Sequence, residues 1–137
     1  MHSENDRKKA YLRSYIYLKR KEQHIAEEIE AVRTRYIGHA ITYSDMPKAH
    51  DSEHDLSDYI VEVDALLRTL QKRQAEAAVA YRQIEAAVER MEDPKEKELL
   101  RLRYLQDLSW QEVADRMVYE ISWVTRIHGK ALEHFVI

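Results

Sequence analysis

Apolar residues recur at alternating intervals of four and three along two long segments of this 137-residue chain. This heptad spacing is typical of an α-helix that packs one narrow apolar stripe against another helix. The first stripe lies within residues 7–37 and the second between about residues 55 and 91. They consist of Tyr11, Tyr15, Leu18, Glu22, Ile25, Ile29, Val32 and Tyr36, and of Leu56, Ile60, Val63, Leu67, Leu70, Gln74, Ala77, Tyr81, Ile84, Val88 and Met91. We therefore expect two long helices.

Residues 38–52 break this pattern with Gly38, Pro47 and several small polar residues, which favour a loop. The second helix is expected to end before Pro94, because the residue preceding a proline avoids the α region. Two stripes of similar length on either side of a loop predict an antiparallel helical hairpin over residues 1–93. A stripe does not identify its partner, however, so packing of each stripe against a second chain is the alternative.

The composition agrees with a nearly all-helical protein. The chain has only two Gly and two Pro, and 34% of its residues are charged. It contains no cysteine, which excludes disulfides and thiolate metal ligands within it. No apolar run approaches the roughly 20 residues that span a bilayer, and the N-terminus lacks the apolar core of a signal peptide, so a cytoplasmic location without membrane contact is expected. The net charge of −3 means that nucleic-acid binding must depend on a local basic face.

Residues 94–137 predict three short helices in a separate domain. Pro94 suits the first turn of a helix, and Ser109 with Glu112 has the S-x-x-E spacing of a capping box. A third helix is expected after a short turn at Val118. Its inward positions are Val124, Ile127, Ala131 and Leu132, and its outward positions include Thr125, Arg126 and Lys130. This arrangement is typical of a helix-turn-helix, whose last helix enters the major groove of DNA.

The order and spacing of three segments carry a family resemblance. LLRLRYL, SWQEVADRM and VTRIHGKAL resemble the first, supporting and recognition helices of sigma-70 region 4. With the upstream hairpin, the chain is similar to small phage and prophage transcriptional regulators of the RinA and ArpU types. The resemblance implies a sequence-specific DNA-binding regulator that positions or activates RNA polymerase. Duplex DNA, RNA polymerase and a second copy of the chain, bound through the hairpin, are the expected partners.

The resemblance also assigns DNA-binding residues. Phosphate contacts fall on Arg103, Ser109, Trp110 and Gln111, with a further backbone contact on Lys130. Base-reading positions fall on Ile121, Ser122, Trp123, Thr125 and Arg126. Physically, the N-terminus of a helix offers free N–H groups to a phosphate, and arginine can read guanine through two hydrogen bonds.

The sequence departs from the sigma pattern at three places. Val118 occupies the turn position where glycine is usual and where φ can be positive, a conformation that suits a β-branched residue poorly, so the turn either has a different shape or is strained. Glu120 replaces the usual Thr or Ser cap, so the recognition helix could begin at Ser122 instead. Ile121 and Ser122 stand where sigma factors carry the Arg and Glu that read the −35 promoter element. Recognition of a standard −35 element is therefore not expected, and no segment resembles the sigma domain that melts the −10 region.

Two other functional classes share these features. A DNA-packaging component like a terminase small subunit also joins a helix-turn-helix to a helical oligomerisation segment, and an adaptor could use a sigma-like end to bind polymerase without touching DNA. An enzyme and a cofactor are not expected, because the sequence has no Gly-rich phosphate loop and no supported nucleophile. His50 and His54 have the spacing of some zinc ligands, but a third ligand is missing and no metal site is predicted.

Overall fold

The computed structural model describes the backbone of residues 2–43 and 49–137 and the side chains of residues 3–38 and 56–137. Over these ranges the chain is helical and has no strand. The elements are α1 His2–Tyr43, α2 Ala49–Glu89, α3 Pro94–Leu100, a π-helical turn Arg101–Leu105, α4 Trp110–Met117 and α5 Ile121–His134. The predicted all-α fold, in which a long helical region precedes short C-terminal helices, is confirmed.

Both long helices extend into the range that the sequence predicts as a loop, residues 38–52. α1 continues to Tyr43 and α2 begins at Ala49. One glycine inside a helix costs only about 1 kcal/mol relative to alanine, so Gly38 does not end α1. Residues 44–48 lie outside the described residues, and so do the side chains of His50 and His54.

The chain divides into two compact units. The first unit consists of residues 1–18 and 76–137, and the second consists of residues 19–75. The start of α1 and the end of α2 therefore belong to the same unit as the C-terminal helices. A separate domain that begins at residue 94 stays a prediction.

In the second unit, α1 and α2 pair through aromatic and polar contacts. The rings of Tyr36 and Tyr59 stack with their centroids 4.3 Å apart. The Arg35 guanidinium donates to a carboxylate oxygen of Glu62 at 3.4 Å, an exposed ion pair of the kind that contributes little to stability. Val32 is buried, and the other residues of the predicted α1 stripe in this unit are half-buried. The α1 stripe is therefore confirmed here.

The inward face of α2 in this unit is rotated from the predicted one. The half-buried positions with heptad spacing are Tyr59, Val63, Leu66, Leu70 and Arg73. The predicted positions that are exposed instead are Leu56, Ile60, Leu67 and Gln74. Both stripes alternate four and three residues and share Val63 and Leu70, so spacing alone does not choose between them. The prediction that Leu56, Ile60, Leu67 and Gln74 face inward was therefore wrong, and the apolar side chains among them face outward.

The core of the first unit joins the two long helices to the C-terminal helices. Its fully buried side chains are Leu12, Val88, Leu99, Leu100, Val113, Val124, Ala131 and Phe135. Each large apolar side chain buried in this way stabilises the fold by roughly 1.5–3 kcal/mol. Leu12 lies outside the predicted stripe because the start of α1 has two sets of neighbours. Tyr15 packs edge-on against Tyr81 of α2 at 5.3 Å, whereas Tyr11 lies 6.1 Å from the ring of Phe135.

Two polar contacts hold the end of α5 in this unit. Lys8, only 8% exposed, donates from Nζ to the carbonyl oxygens of Leu132 at 2.7 Å and Glu133 at 3.3 Å. The last carbonyls of a helix lack intrahelical partners and carry partial negative charge, which a cation neutralises. The carboxylate of Glu96, 3% exposed, lies 2.9 Å from Nδ1 of His134. The start of α1 and the start of α3 are thus both joined to the end of α5.

Candidate nucleic-acid interface

The helix α3 continues directly into a wider, π-helical turn. Asp93 caps α3 by accepting a hydrogen bond from the Lys95 N–H at 2.8 Å, and Pro94 stands in the first turn as predicted. A π-helical turn follows over Arg101–Leu105, and it buries Leu102, Tyr104 and Leu105. Arg103 in this turn faces α4. Turns of this type are frequent at functional sites because they redirect side chains within a helix.

The predicted capping box at the start of α4 is confirmed. The Ser109 hydroxyl accepts a hydrogen bond from the Glu112 N–H at 3.2 Å, and the Glu112 carboxylate accepts one from the Ser109 N–H at 3.3 Å. The N–H groups of Trp110 and Gln111, in the first turn, have no carbonyl of their own helix to bind. This helix end therefore offers donors to an anion.

The turn between α4 and α5 contains a strained valine, which is one of the two alternatives that the sequence leaves open. Val118 has φ 60° and ψ 47°, the left-handed conformation. The N–H of Tyr119 donates to the Ala114 carbonyl at 3.0 Å and that of Val118 to the Asp115 carbonyl at 3.3 Å, the pair of bonds of a Schellman motif. A residue with a Cβ pays about 1–2 kcal/mol for this conformation. Val118 is 84% exposed, so burial does not offset that cost.

The recognition helix α5 begins at Ile121 and not at Ser122. Glu120 is its N-cap residue with extended backbone, but its side chain makes no capping hydrogen bond. The inward positions Val124, Ile127, Ala131 and Leu132 are buried as predicted. They pack α5 firmly onto the domain and leave its opposite face to solvent.

Six of the sequence-predicted DNA-binding residues lie on the exposed side of α5. These are Ile121, Ser122, Trp123, Thr125, Arg126 and Lys130. The Thr125 hydroxyl donates to the Ile121 carbonyl at 3.0 Å and is turned toward its own helix. Arg126 forms no ion pair with any described side chain, so its guanidinium is available to an external partner.

The other four predicted residues cluster where the π-helical turn meets α4. Arg103 donates from Nη1 to the Leu108 carbonyl at 2.9 Å, and its guanidinium lies over the Trp110 ring at 4.5 Å. Gln111 donates to Asp115 at 3.0 Å, and Ser109 is engaged in the capping box. Because arginine has five N–H donors, Arg103 keeps several for a phosphate.

One contact at this site is not evident from the sequence. The hydroxyl oxygen of Tyr104 lies 2.7 Å from Nε2 of His128, and the Trp110 ring meets His128 edge-on at 4.5 Å. Burial, together with the positive charges of Lys9, Arg103 and Arg13, lowers the pKa of His128 to about 4. His128 is therefore neutral near pH 7. Tyr104 and His128 are 24 residues apart, and no local pattern links them.

The geometry defines a helix-turn-helix: a capped supporting helix, a tight turn and a recognition helix with one exposed face. Residues 93–134 match the family model described as sigma-70, region 4. The C-terminal part of the chain is thus a sigma-70 region 4-like helix-turn-helix. The chain has no significant match among curated proteins or solved structures.

Within residues 3–38 and 56–137, no group of three His, Asp or Glu side chains is arranged to hold a metal ion. No helix in the described part of the chain is long and apolar enough to cross a membrane.

Proposed function

We propose that this protein is a transcriptional regulator that binds specific duplex DNA through α5 and positions or activates RNA polymerase. The observation that carries the proposal is the exposed face of α5, on which Ser122, Arg126 and Lys130 stand opposite a fully buried core. The match of residues 93–134 to sigma-70 region 4 supports the same function. A phage or prophage origin rests on the resemblance of the whole arrangement to small phage regulators.

The contacts of the domain divide into two kinds. Arg103 and the first turn of α4 hold the phosphate backbone and set the orientation of the domain, without reading sequence. Arg126 reads a base edge, and a bidentate contact to guanine is worth about 1–3 kcal/mol of discrimination. Ile121 and Ser122 give the start of α5 a different chemistry from the Arg and Glu of sigma factors, so the preferred site differs from a standard −35 element.

The long helices offer a surface for a second binding partner. A single small module in a chain of net charge −3 binds DNA weakly by itself. Leu56, Ile60 and Leu67 form an exposed apolar row on α2, and such a row favours contact with protein. RNA polymerase or a second copy of the chain is the proposed occupant.

The proposal is tested by selecting bound duplexes from a random pool at two salt concentrations. We expect the wild type to select a consensus, and Arg126→Ala to lose the preference at one position. Arg82→Ala removes the same charge from an exposed site on α2 and should select the wild-type consensus. Binding without any sequence preference, or a consensus that Arg126→Ala leaves intact, would refute base reading by this residue.

A further inference from the structure

The first turns of α1 lie directly against the helix-turn-helix. Within the first unit, Lys8 bonds the last carbonyls of α5, Tyr11 lies beside Phe135 and Leu12 is fully buried in the shared core. These three contacts fix which face of α1 is turned toward the domain. Because this face is fixed, the helix geometry also sets where Lys9 and Arg13 lie on α1.

Lys9 and Arg13 lie along one edge of that contact face. They are four residues apart and therefore neighbours on the helix surface. Lys9 is half-buried and Arg13 is exposed. The charges that act on His128 are those of Lys9, Arg103 and Arg13, and all of them are positive. Arg13 and Arg103 also act together on Tyr104. The two cations of α1 thus share the surroundings of these rings with Arg103.

The same surroundings include the start of α4. The Arg103 guanidinium lies 4.5 Å from the centre of the Trp110 ring, and that ring lies 4.5 Å from His128. Trp110 is the first residue of α4, whose free N–H groups carry partial positive charge. Three side-chain cations therefore act on His128, and its neighbour Trp110 begins a positive helix end.

Lys9, Arg13 and Arg103 form no ion pair with any side chain in the described ranges, although the chain has 25 Asp and Glu residues. Like charges held near one another repel, so the arrangement is favourable when an anion lies between them. A phosphate backbone supplies such anions at regular spacing and releases bound counterions when cations replace them.

We propose that Lys9 and Arg13 of α1 join Arg103 in a patch that binds the phosphodiester backbone of duplex DNA beside the start of α4. We call these three residues the cation patch. The first helix of the long pair is then part of the DNA interface and extends it beyond the helix-turn-helix. This inference rests on the proposed DNA-binding function and adds contacts that set affinity and its dependence on salt.

The test is the salt dependence of binding by the full-length chain. The double variant Lys9→Gln, Arg13→Gln is compared with the wild type on the selected duplex, by fluorescence anisotropy at several salt concentrations. Each lost phosphate contact lowers the slope of log affinity against log salt by about 0.9, so the double variant should lose about 1.8. Its consensus should not change, because phosphate contacts carry no sequence information.

Two further variants separate phosphate binding from other effects. Arg7→Gln with Arg33→Gln removes two exposed charges of α1 that do not act on His128, and it should keep the wild-type slope. Lys9→Arg with Arg13→Lys keeps both charges and should keep most of the slope. Arg13→Gln alone changes only an exposed residue, so it replaces the double variant as the test if the double variant folds poorly. It should lower the slope by about 0.9.

The possible results distinguish the two proposals. An unchanged slope in Lys9→Gln, Arg13→Gln, with a consensus that still depends on Arg126, would refute the cation patch and leave the proposed function standing. Equal losses of slope in this variant and in the control with Arg7 and Arg33 replaced would also refute the cation patch. Removal of any positive charge from α1 would then explain the effect. A wild type that binds no duplex would overturn both.

Discussion

The hydroxyl of Tyr104 and Nε2 of His128 lie 2.7 Å apart and join the π-helical turn to the middle of the recognition helix. His128 also meets Trp110, the first residue of α4. One imidazole thus connects the three elements that hold the residues proposed to contact DNA. Its contacts are made by the neutral ring, because burial and nearby cations lower its pKa to about 4.

Stability should fall in acid because of His128. The unfolded chain takes up a proton near the ordinary pKa of 6.5, whereas the folded chain resists until about pH 4. The contribution of His128 to the free energy of unfolding is therefore fully present above pH 6.5, and it is lost as the pH falls from 6.5 toward 4. Urea denaturation across this interval should show a steeper loss for the wild type than for His128→Gln. Parallel pH profiles would contradict a neutral buried ring.

His134 should show the opposite dependence. Its hydrogen bond and charge attraction to Glu96 raise its pKa above the ordinary value of 6.5. A raised pKa gives stability that is present below pH 6.5 and is lost as the pH rises through the folded pKa. An NMR titration of the ring should place its pKa above that of a model peptide. Glu96→Gln should bring it back, and a wild-type value at or below 6.5 would disprove the pairing.

Replacement of Val118 should stabilise the protein. The left-handed backbone costs a β-branched residue about 1–2 kcal/mol, and glycine avoids this cost but adds entropy to the unfolded chain. We expect Val118→Gly to raise the free energy of unfolding by roughly 0.5–1 kcal/mol. Val118→Asn should give a smaller gain, since asparagine tolerates this conformation, and Val118→Ala keeps the Cβ and should give the least. A loss of stability in Val118→Gly would show that Val118 is not strained.

The rotated stripe of α2 can be tested with two adjacent leucines. Leu66 is half-buried, whereas Leu67 is 44% exposed. Leu66→Ala should therefore cost more stability than Leu67→Ala, which as a surface change should stay within about 0.5 kcal/mol. Chemical denaturation at low protein concentration keeps association from masking the difference. A larger cost for Leu67→Ala would restore the stripe predicted from the sequence.

Much of the helix-turn-helix could be predicted from local sequence. The capping box of Ser109 and Glu112 and the buried face of α5 each follow from residues within a few positions of one another, whereas the positive φ of Val118 does not follow from its β-branched side chain. The exposed positions of Arg126 and Lys130 follow from the same periodicity. Local patterns succeed here because these short helices have a clear apolar periodicity and two of them, α3 and α4, begin with side-chain caps.

The long helices show where local patterns fail. Leu66 and Leu67 both continue a heptad series, and only contact with α1 decides which of them faces inward. Leu12 lies off the predicted stripe because α1 also packs against the C-terminal helices. The Tyr104 and His128 contact, and the bond of Lys8 to Leu132, join distant parts of the chain. Periodicity shows that a face is apolar, but it does not identify the partner.

Base reading by Arg126 can be measured by a double-mutant cycle between the protein and the DNA. The affinities of wild type and Arg126→Ala are measured on the selected duplex and on duplexes with one base pair changed. Arg126→Ala should remove about 1–3 kcal/mol of discrimination at one base pair and leave the other positions unchanged. An equal loss of affinity on every duplex, or no loss, would contradict base reading by α5.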